Sequence, residues 1–321
     1  MNTELTKACQ GFIDNYRIIS GIFKQGYSLI YPVCSDIFCA KGKKADEKRL
    51  NDCARMILDR SQIFGEFHGI MYAPVASIIA ASDDAEKFVS RMEKVHGILR
   101  KYFQPSNYLV LTAALMAENS DDKDMDRNID RAKRIYDLMA KKHPFLTSNE
   151  DIVFATYLAL SPRSDDELID DMEESFTILD KFAVNDYIQT VTHILSLSPD
   201  KPKKKCKNFK DLYFRLCTDD MKFKRSFGLS VLAALSTIGH DNKKLAAEIN
   251  EIADFLKKDK EYGAMLSSPV EDPLLHAAII LLAVYAPGMS SDAVAITSIF
   301  YMFALHELSS YSMDLKRRCA V

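Results

Sequence analysis

Residues 109–140 read LVLTAALMAENSDDKDMDRNIDRAKRIYDLMA. As far as Ala117 the segment is apolar or small at almost every position. After a polar turn, Ile129, Ala132, Ile135 and Tyr136 follow at i, i+3, i+6 and i+7, which is one face of a 3.6-residue helix. The reading is an apolar, Ala-rich helix, a short turn and a strongly amphipathic helix. The same frame fits Met92, Val95, Ile98 and Leu99, then Met172, Ser175, Ile178 and Leu179, and later Ile249, Ile252, Phe255 and Leu256. Phe209, Leu212 and Leu216 fit with Arg215 at one core position, and Val294, Thr297, Phe300 and Tyr301 complete a sixth copy.

Fourteen residues before each anchor stand Ile78, Leu115, Leu158, Leu195, Leu235 and Ile280, all within apolar runs. The copies are spaced 37, 43, 37, 40 and 45 residues apart, the period of stacked helical hairpins of HEAT or armadillo size. The fold class expected is all-α: about six αα-hairpins over residues 67–321 in a curved superhelix, with an irregular helical bundle as the alternative. Residues 1–66 fall outside the frame. Thr3 to Lys24 and Ala45 to Phe64 read as two amphipathic helices around an extended loop at Tyr31-Pro32. They are expected to cap the first hairpin.

Composition agrees with helices. Ala and Leu number 31 each, while Val (13) and Thr (11) are scarce, so side-chain entropy favours helix over sheet. Asp83 with Glu86, and Ser164 with Glu167, have capping-box spacing ahead of second helices. Pro105, Pro144, Pro162, Pro199, Pro202, Pro269, Pro273 and Pro287 fall between the helices, where a missing N–H costs least. Pro74 is the exception, expected in a first turn or at a kink.

A formal charge of -3 gives no global field toward nucleic acid or anionic membrane. Seven cysteines and an opening MNTELTKACQ without an apolar run point to a reduced, cytoplasmic setting. Ala277 to Leu305 is broken by Pro287, Gly288 and Asp292 and reads as two buried helices rather than one span. Cys319 stands one place too late for a prenylation box.

Each candidate site meets a plainer reading. Asp166 and Asp170, one turn apart beside Asp165 and Asp171, resemble the carboxylates that isoprenoid synthases offer to Mg²⁺-diphosphate. Met172-Glu173-Glu174 follows where those enzymes carry a basic pair, and acidic residues at a helix start complement its dipole. Asp122, Asp124, Asp126 and Asp130 alternate like a calcium loop, but Arg127 and Lys133 occupy the positions that need Gly and Glu. Cys34 and Cys39, with Cys53 and His68 beyond, lack the tight ligand pairs of a zinc site. Cys9, Cys206, Cys217 and Cys319 stand alone. His306-Glu307 lacks the second histidine of a zincin, and Gly42-Lys43-Lys44 is a basic loop without a Walker frame.

The most basic stretch holds Lys201, Lys203, Lys204, Lys205, Lys207 and Lys210 and continues to Arg215, Lys222, Lys224 and Arg225. Lysines rather than arginine forks argue against base readout. They leave a solvated loop, or contact with an acidic protein partner.

Two helix starts, Asn149-Glu150-Asp151-Ile152-Val153-Phe154-Ala155 and Asn185-Asp186-Tyr187-Ile188-Gln189-Thr190-Val191, lead into LALS and LSLS. On these the chain, over roughly residues 67 to 310, resembles a family of bacterial proteins defined only as a domain of unknown function. The resemblance carries no site residues. The residues therefore lead to a helical-repeat protein, without an assigned catalytic, cofactor or metal residue, that recognises a protein, peptide or small ligand in a concave groove. A closed helical toroid acting on a diphosphate through Mg²⁺ and Asp165, Asp166 or Asp170 is the second reading, and a subunit of a larger oligomer, suggested by Ala293 to Leu305, the third. The absence of Trp argues against a sugar site.

Overall fold

The structure is a computed structural model that describes residues 1–23, 30–60, 72–183, 185–216, 228–260, 262 and 273–286. Among the described residues the chain forms 14 helices and no strand. The helices alternate in character. α1 (Thr3–Ile22), α3 (Glu47–Asp59), α5 (Ala85–Leu99), α7 (Met125–Lys142), α9 (Asp165–Leu179), α11 (Pro202–Leu216) and α13 (Asn242–Lys257) are amphipathic. Between them lie α2 (Tyr31–Ala40), α4 (Tyr72–Ala81), α6 (Asn107–Asn119), α8 (Asp151–Ala159), α10 (Asn185–Leu195), α12 (Gly228–Thr237) and α14 (Pro273–Tyr285). Apart from α10, which carries Gln189, Thr190, Thr192 and His193, these even-numbered helices are apolar, and burial explains it. α4 buries every residue from Ala73 to Ala81 and α14 every residue from Leu275 to Leu282, so neither has a face left for polar side chains. Ile78, Leu115, Leu158, Leu195, Leu235 and Ile280 are all buried.

Contacts assign the partners. Each amphipathic helix packs on the apolar helix that follows it: α1 on α2, α3 on α4, and so on to α13 on α14. The tight pair is thus amphipathic helix first, the reverse of the order read from the sequence. Among the apolar helices α2 packs on α4, α6 on α8, α8 on α10, α10 on α12, α12 on α14, and α14 returns to α2. Outside them α5, α7, α9, α11, α13, α1 and α3 touch in succession. The first helices therefore meet the last: Arg17 on α1 reaches Asp259 beyond α13 at 2.6 Å, while α2 and α3 also pack on α4.

Several local expectations shift. The amphipathic helices from α5 to α13 start at Ala85, Met125, Asp165, Pro202 and Asn242, intervals of 40, 40, 37 and 40 residues. On α7 the counterpart of Met92 is Ala132, one turn beyond Ile129. The buried positions of α5 are Phe88, Val89, Met92, Val95, His96 and Leu99, so the core takes i+4 from Met92 and leaves Ile98 at the boundary. In α11 Tyr213 is buried and Arg215 exposed for the same reason. Tyr31-Pro32 opens helix α2 rather than an extended loop, because a proline in the first turn removes an N–H that has no intrahelical partner. Pro202 and Pro273 likewise head α11 and α14, and Pro74 sits in the first turn of α4. Asp84, not Asp83, caps α5 through the Lys87 N–H at 3.0 Å. Ser164 and Glu167 form a complete capping box. Gly239, at φ 81, turns the chain from α12 into α13 in the left-handed region that favours glycine. Val294, Thr297, Phe300 and Tyr301, and the Ala293 to Leu305 segment, lie outside the described residues.

The carbonyls at the C-terminal ends of the apolar helices have side-chain partners. Arg49 on α3 donates to Ala80 O of α4 and to Ser82 O just beyond it, both at 2.7 Å. Arg91 on α5 donates to Ser120 O after α6, and Arg131 on α7 to Ala159 O at 3.0 Å and to Ser161 and Arg163 O after α8. A guanidinium here satisfies several orphan acceptors and complements the negative end of the helix dipole. Arg131 also holds Asp165 at 2.7 Å, joining one pair to the next. Arg131→Ala is expected to lower unfolding free energy by about 2–3 kcal/mol, since charge-assisted bonds are lost in a half-buried place. A urea midpoint unchanged from the parent would contradict this role.

Candidate functional site

The basic stretch resolves into two kinds of lysine. Lys205 is turned inward, 1% exposed, with Nζ 2.6 Å from Asp171 Oδ2 and 3.2 Å from Ser198 O. Burial outweighs the attraction of Asp171 and draws its pKa below the ordinary lysine value. Arg163 completes the cluster, 2.9 Å from Asp171 and bonded to the carbonyls of Ser196 and Ser198 at the end of α10. Asp171 occupies the position that Arg91 and Arg131 hold on α5 and α7, six residues after each helix start. The sign of the charge is reversed there, and Lys205 and Arg163 supply the cations instead.

Lys203 and Lys207 point outward and Lys210 is half-buried. With Ile178, Asp211 and Phe214 they line an open cleft of about 420 Å³ along α11, beside the end of α9. Lys203, Lys207, Lys210 and Phe214 follow at i, i+4, i+7 and i+11, one helical stripe. Lys210 Nζ donates to Ile178 O at 3.5 Å. Phe214 is 56% exposed with its ring edge-on to Phe182, centroids 5.9 Å apart. A large aromatic held this far into water beside three ammonium groups is a ready anchor for a partner.

The acidic stretch is dispersed. Asp165 is bound by Arg131 and Arg134, Asp171 by Lys205 and Arg163, and Asp166 and Asp170 are exposed on α9. Asp122 pairs with Arg91, Asp124 with Arg127, and Asp130 accepts from Tyr102. Among the described residues no group of three or more His, Cys, Asp or Glu side chains is placed to hold a metal ion. Cys34 and Cys39 sit on α2 and Cys53 on α3 as free thiols. Burial pushes the Cys9 and Cys34 thiols up to about 12, and Cys39 higher still. Lys43 donates to Ala81 O at 2.7 Å, another cap on α4. His68, Cys217, Lys222, Lys224, Arg225, His306, Glu307 and Cys319 lie outside the described residues.

Three acid–imidazole pairs escaped the sequence. His276 Nδ1 on α14 is 3.1 Å from Asp36 Oδ2 on α2, both fully buried beside the rings of Phe12 and Tyr262. Burial raises the Asp36 carboxyl to about 6, against the pull of His276. On α10, His193 Nδ1 lies 3.7 Å from Asp151 Oδ1, beyond hydrogen-bond length. Burial and then His143 drive its imidazole down to about 3, so it is neutral. His143 faces Glu173 at 2.9 Å, and these groups border a cavity of about 10 Å³, room for one water. No local spacing could have announced pairs 240, 42 and 30 residues apart. Polar residues inside apolar runs, such as Asp36 and His276, were the one signal.

The sequence model of a family described as a protein of unknown function (DUF4003) matches residues 15–306. The chain belongs to this family. The match begins within α1 and so takes in the N-terminal helices as well as the region from residue 67. No curated protein and no solved structure matches the chain. No helix among the described residues is long and apolar enough to cross a membrane. The DUF4003 family thus brings no residue roles with it, and the chemistry of the cleft on α11 stands on its own geometry.

Proposed function

We propose that this DUF4003 protein is a non-catalytic binding module whose helix pairs close into a ring and whose outer layer takes up an acidic helical segment of a protein partner along α11. The cleft formed by Lys203, Lys207, Lys210 and Phe214 carries the reading. The return of α14 to α2 supports a ring over an open superhelix. With the apolar helices buried among their neighbours, the recognition surface moves from an inner concave face to the outside. Three ammonium groups select carboxylates at helical spacing, and Phe214 adds a desolvated anchor.

The test is fluorescence anisotropy with a labelled helical peptide bearing glutamates at i, i+4 and i+7 and a leucine one turn on. Binding in the micromolar range is expected, weakening with salt. Replacing Lys203, Lys207 and Lys210 together by Glu should lower affinity by well over tenfold, and Phe214→Ser by about tenfold. No binding at about 100 µM, equivalent to some 5 kcal/mol, or equal binding by both variants, would overturn the proposal.

A further inference from the structure

We infer that the acidic helical partner of this groove is a second copy of the same chain, docked about a twofold axis that runs between α9 and α11; the inference rests on the binding role proposed for the groove. Beside the lysine stripe, α9 carries Asp170 and Glu174, exposed and four residues apart, as are Lys203 and Lys207. Contacts between the helices set the levels. Asp171 holds Lys205 at 2.6 Å, Ser175 O lies 3.9 Å from Cys206 Sγ, and Ile178 O accepts from Lys210 at 3.5 Å. The two helices therefore run parallel, with Asp170 abreast of Lys203 and Glu174 abreast of Lys207. Among the described residues no ion pair within the chain joins any of these four side chains.

A twofold axis parallel to both helices lays α9 of one copy over α11 of the other and keeps the levels. Each carboxylate then meets a lysine, and the set is made twice, as an isologous interface requires. The two Phe214 rings and the Ile178 side chains are brought together near the axis, where they supply the apolar centre that exposed ion pairs by themselves do not. Such a contact closes on itself as a dimer and leaves no free edge to propagate.

The experiment is light scattering after gel filtration of the full chain, at about 100 µM, with two charge-reversed variants. In one, Lys203→Glu and Lys207→Glu make both stripes acidic; in the other, Asp170→Lys and Glu174→Lys make both basic. All four positions are exposed, so folding is unaffected. The parent is expected as a dimer, each variant alone as a monomer, and an equimolar mixture as a heterodimer, because each acidic stripe then faces a basic one. A parent that is monomeric yet binds the labelled peptide would overturn the second-copy assignment and leave the groove reading standing. A parent that is monomeric and does not bind it would overturn both. A dimer that neither variant dissociates would place the contact elsewhere on the surface and overturn the inference.

Discussion

Asp171→Ala is expected to lower unfolding free energy by about 3–5 kcal/mol, the largest effect of any single change considered, because it leaves the Lys205 ammonium buried without its counter-ion. Lys205 is 1% exposed and Asp171 6%. Among the described residues nothing else bonded to Lys205 can replace the carboxylate: Ser198 O at 3.2 Å offers one neutral acceptor, and Arg163, also on Asp171, adds like charge. Arg163 itself keeps the carbonyls of Ser196 and Ser198, so the loss concentrates on the lysine. The double variant Asp171→Leu with Lys205→Met removes both charges and should recover most of the stability, since a buried ion pair often does no better than well-packed apolar groups of like volume. Urea unfolding followed by circular dichroism measures both, with the slope as a check that the unfolding transition is the same. A single variant within about 1 kcal/mol of the parent would mean that Lys205 is solvated or neutral, and the cluster would lose its role.

The same cluster shows what could and could not be read from the sequence. Periodicity exposed the helices, since an apolar run such as AALMA and a stripe such as Met92 to Leu99 report burial directly. It did not fix which neighbour each helix packs on. Both turns flanking an amphipathic helix are short and polar, so the pattern is the same whether the pair is read forward or backward, and only contacts decide. Pro32 was misread because X-Pro disfavours helix for the residue before it, whereas a helix can begin there. The arginine caps were hidden by their own ambiguity: Arg91 and Arg131 look like solvated charges on a polar face until the carbonyls they meet are known. Lys205 lay within a run of lysines that composition reads as uniform, although its place beside Cys206 and ahead of Phe209 on the buried stripe marked it as inward. The exposed Phe214 was the reverse case, an apolar residue off the stripe. Of the candidate site, the lysines were legible and the aromatic anchor was not.

Asp36→Asn is expected to gain stability relative to the parent as pH rises, by about 2 kcal/mol between pH 4 and pH 7. The folded-state carboxyl titrates near 6, against 3.8 for a free side chain. Between those values the folded chain keeps a proton that the unfolded chain has released, so the parent loses stability as pH rises through the interval, and above it the loss is complete. Asparagine cannot ionise, and its amide can still hydrogen-bond with His276 Nδ1 in either direction. The neighbouring thiols Cys34 and Cys39 stay neutral throughout, because burial raises them far above this range. His193 contributes with the opposite sign: its imidazole is neutral in the fold down to about 3, whereas an unfolded histidine charges near 6.5, so that group costs stability as pH falls. The parent's own profile mixes the two, and the difference between variant and parent isolates Asp36. Urea unfolding of both proteins at pH 4 and pH 7 measures it. An equal difference at the two pH values would show that Asp36 does not change its charge between them, and would overturn the reading of a carboxyl raised by burial between α2 and α14.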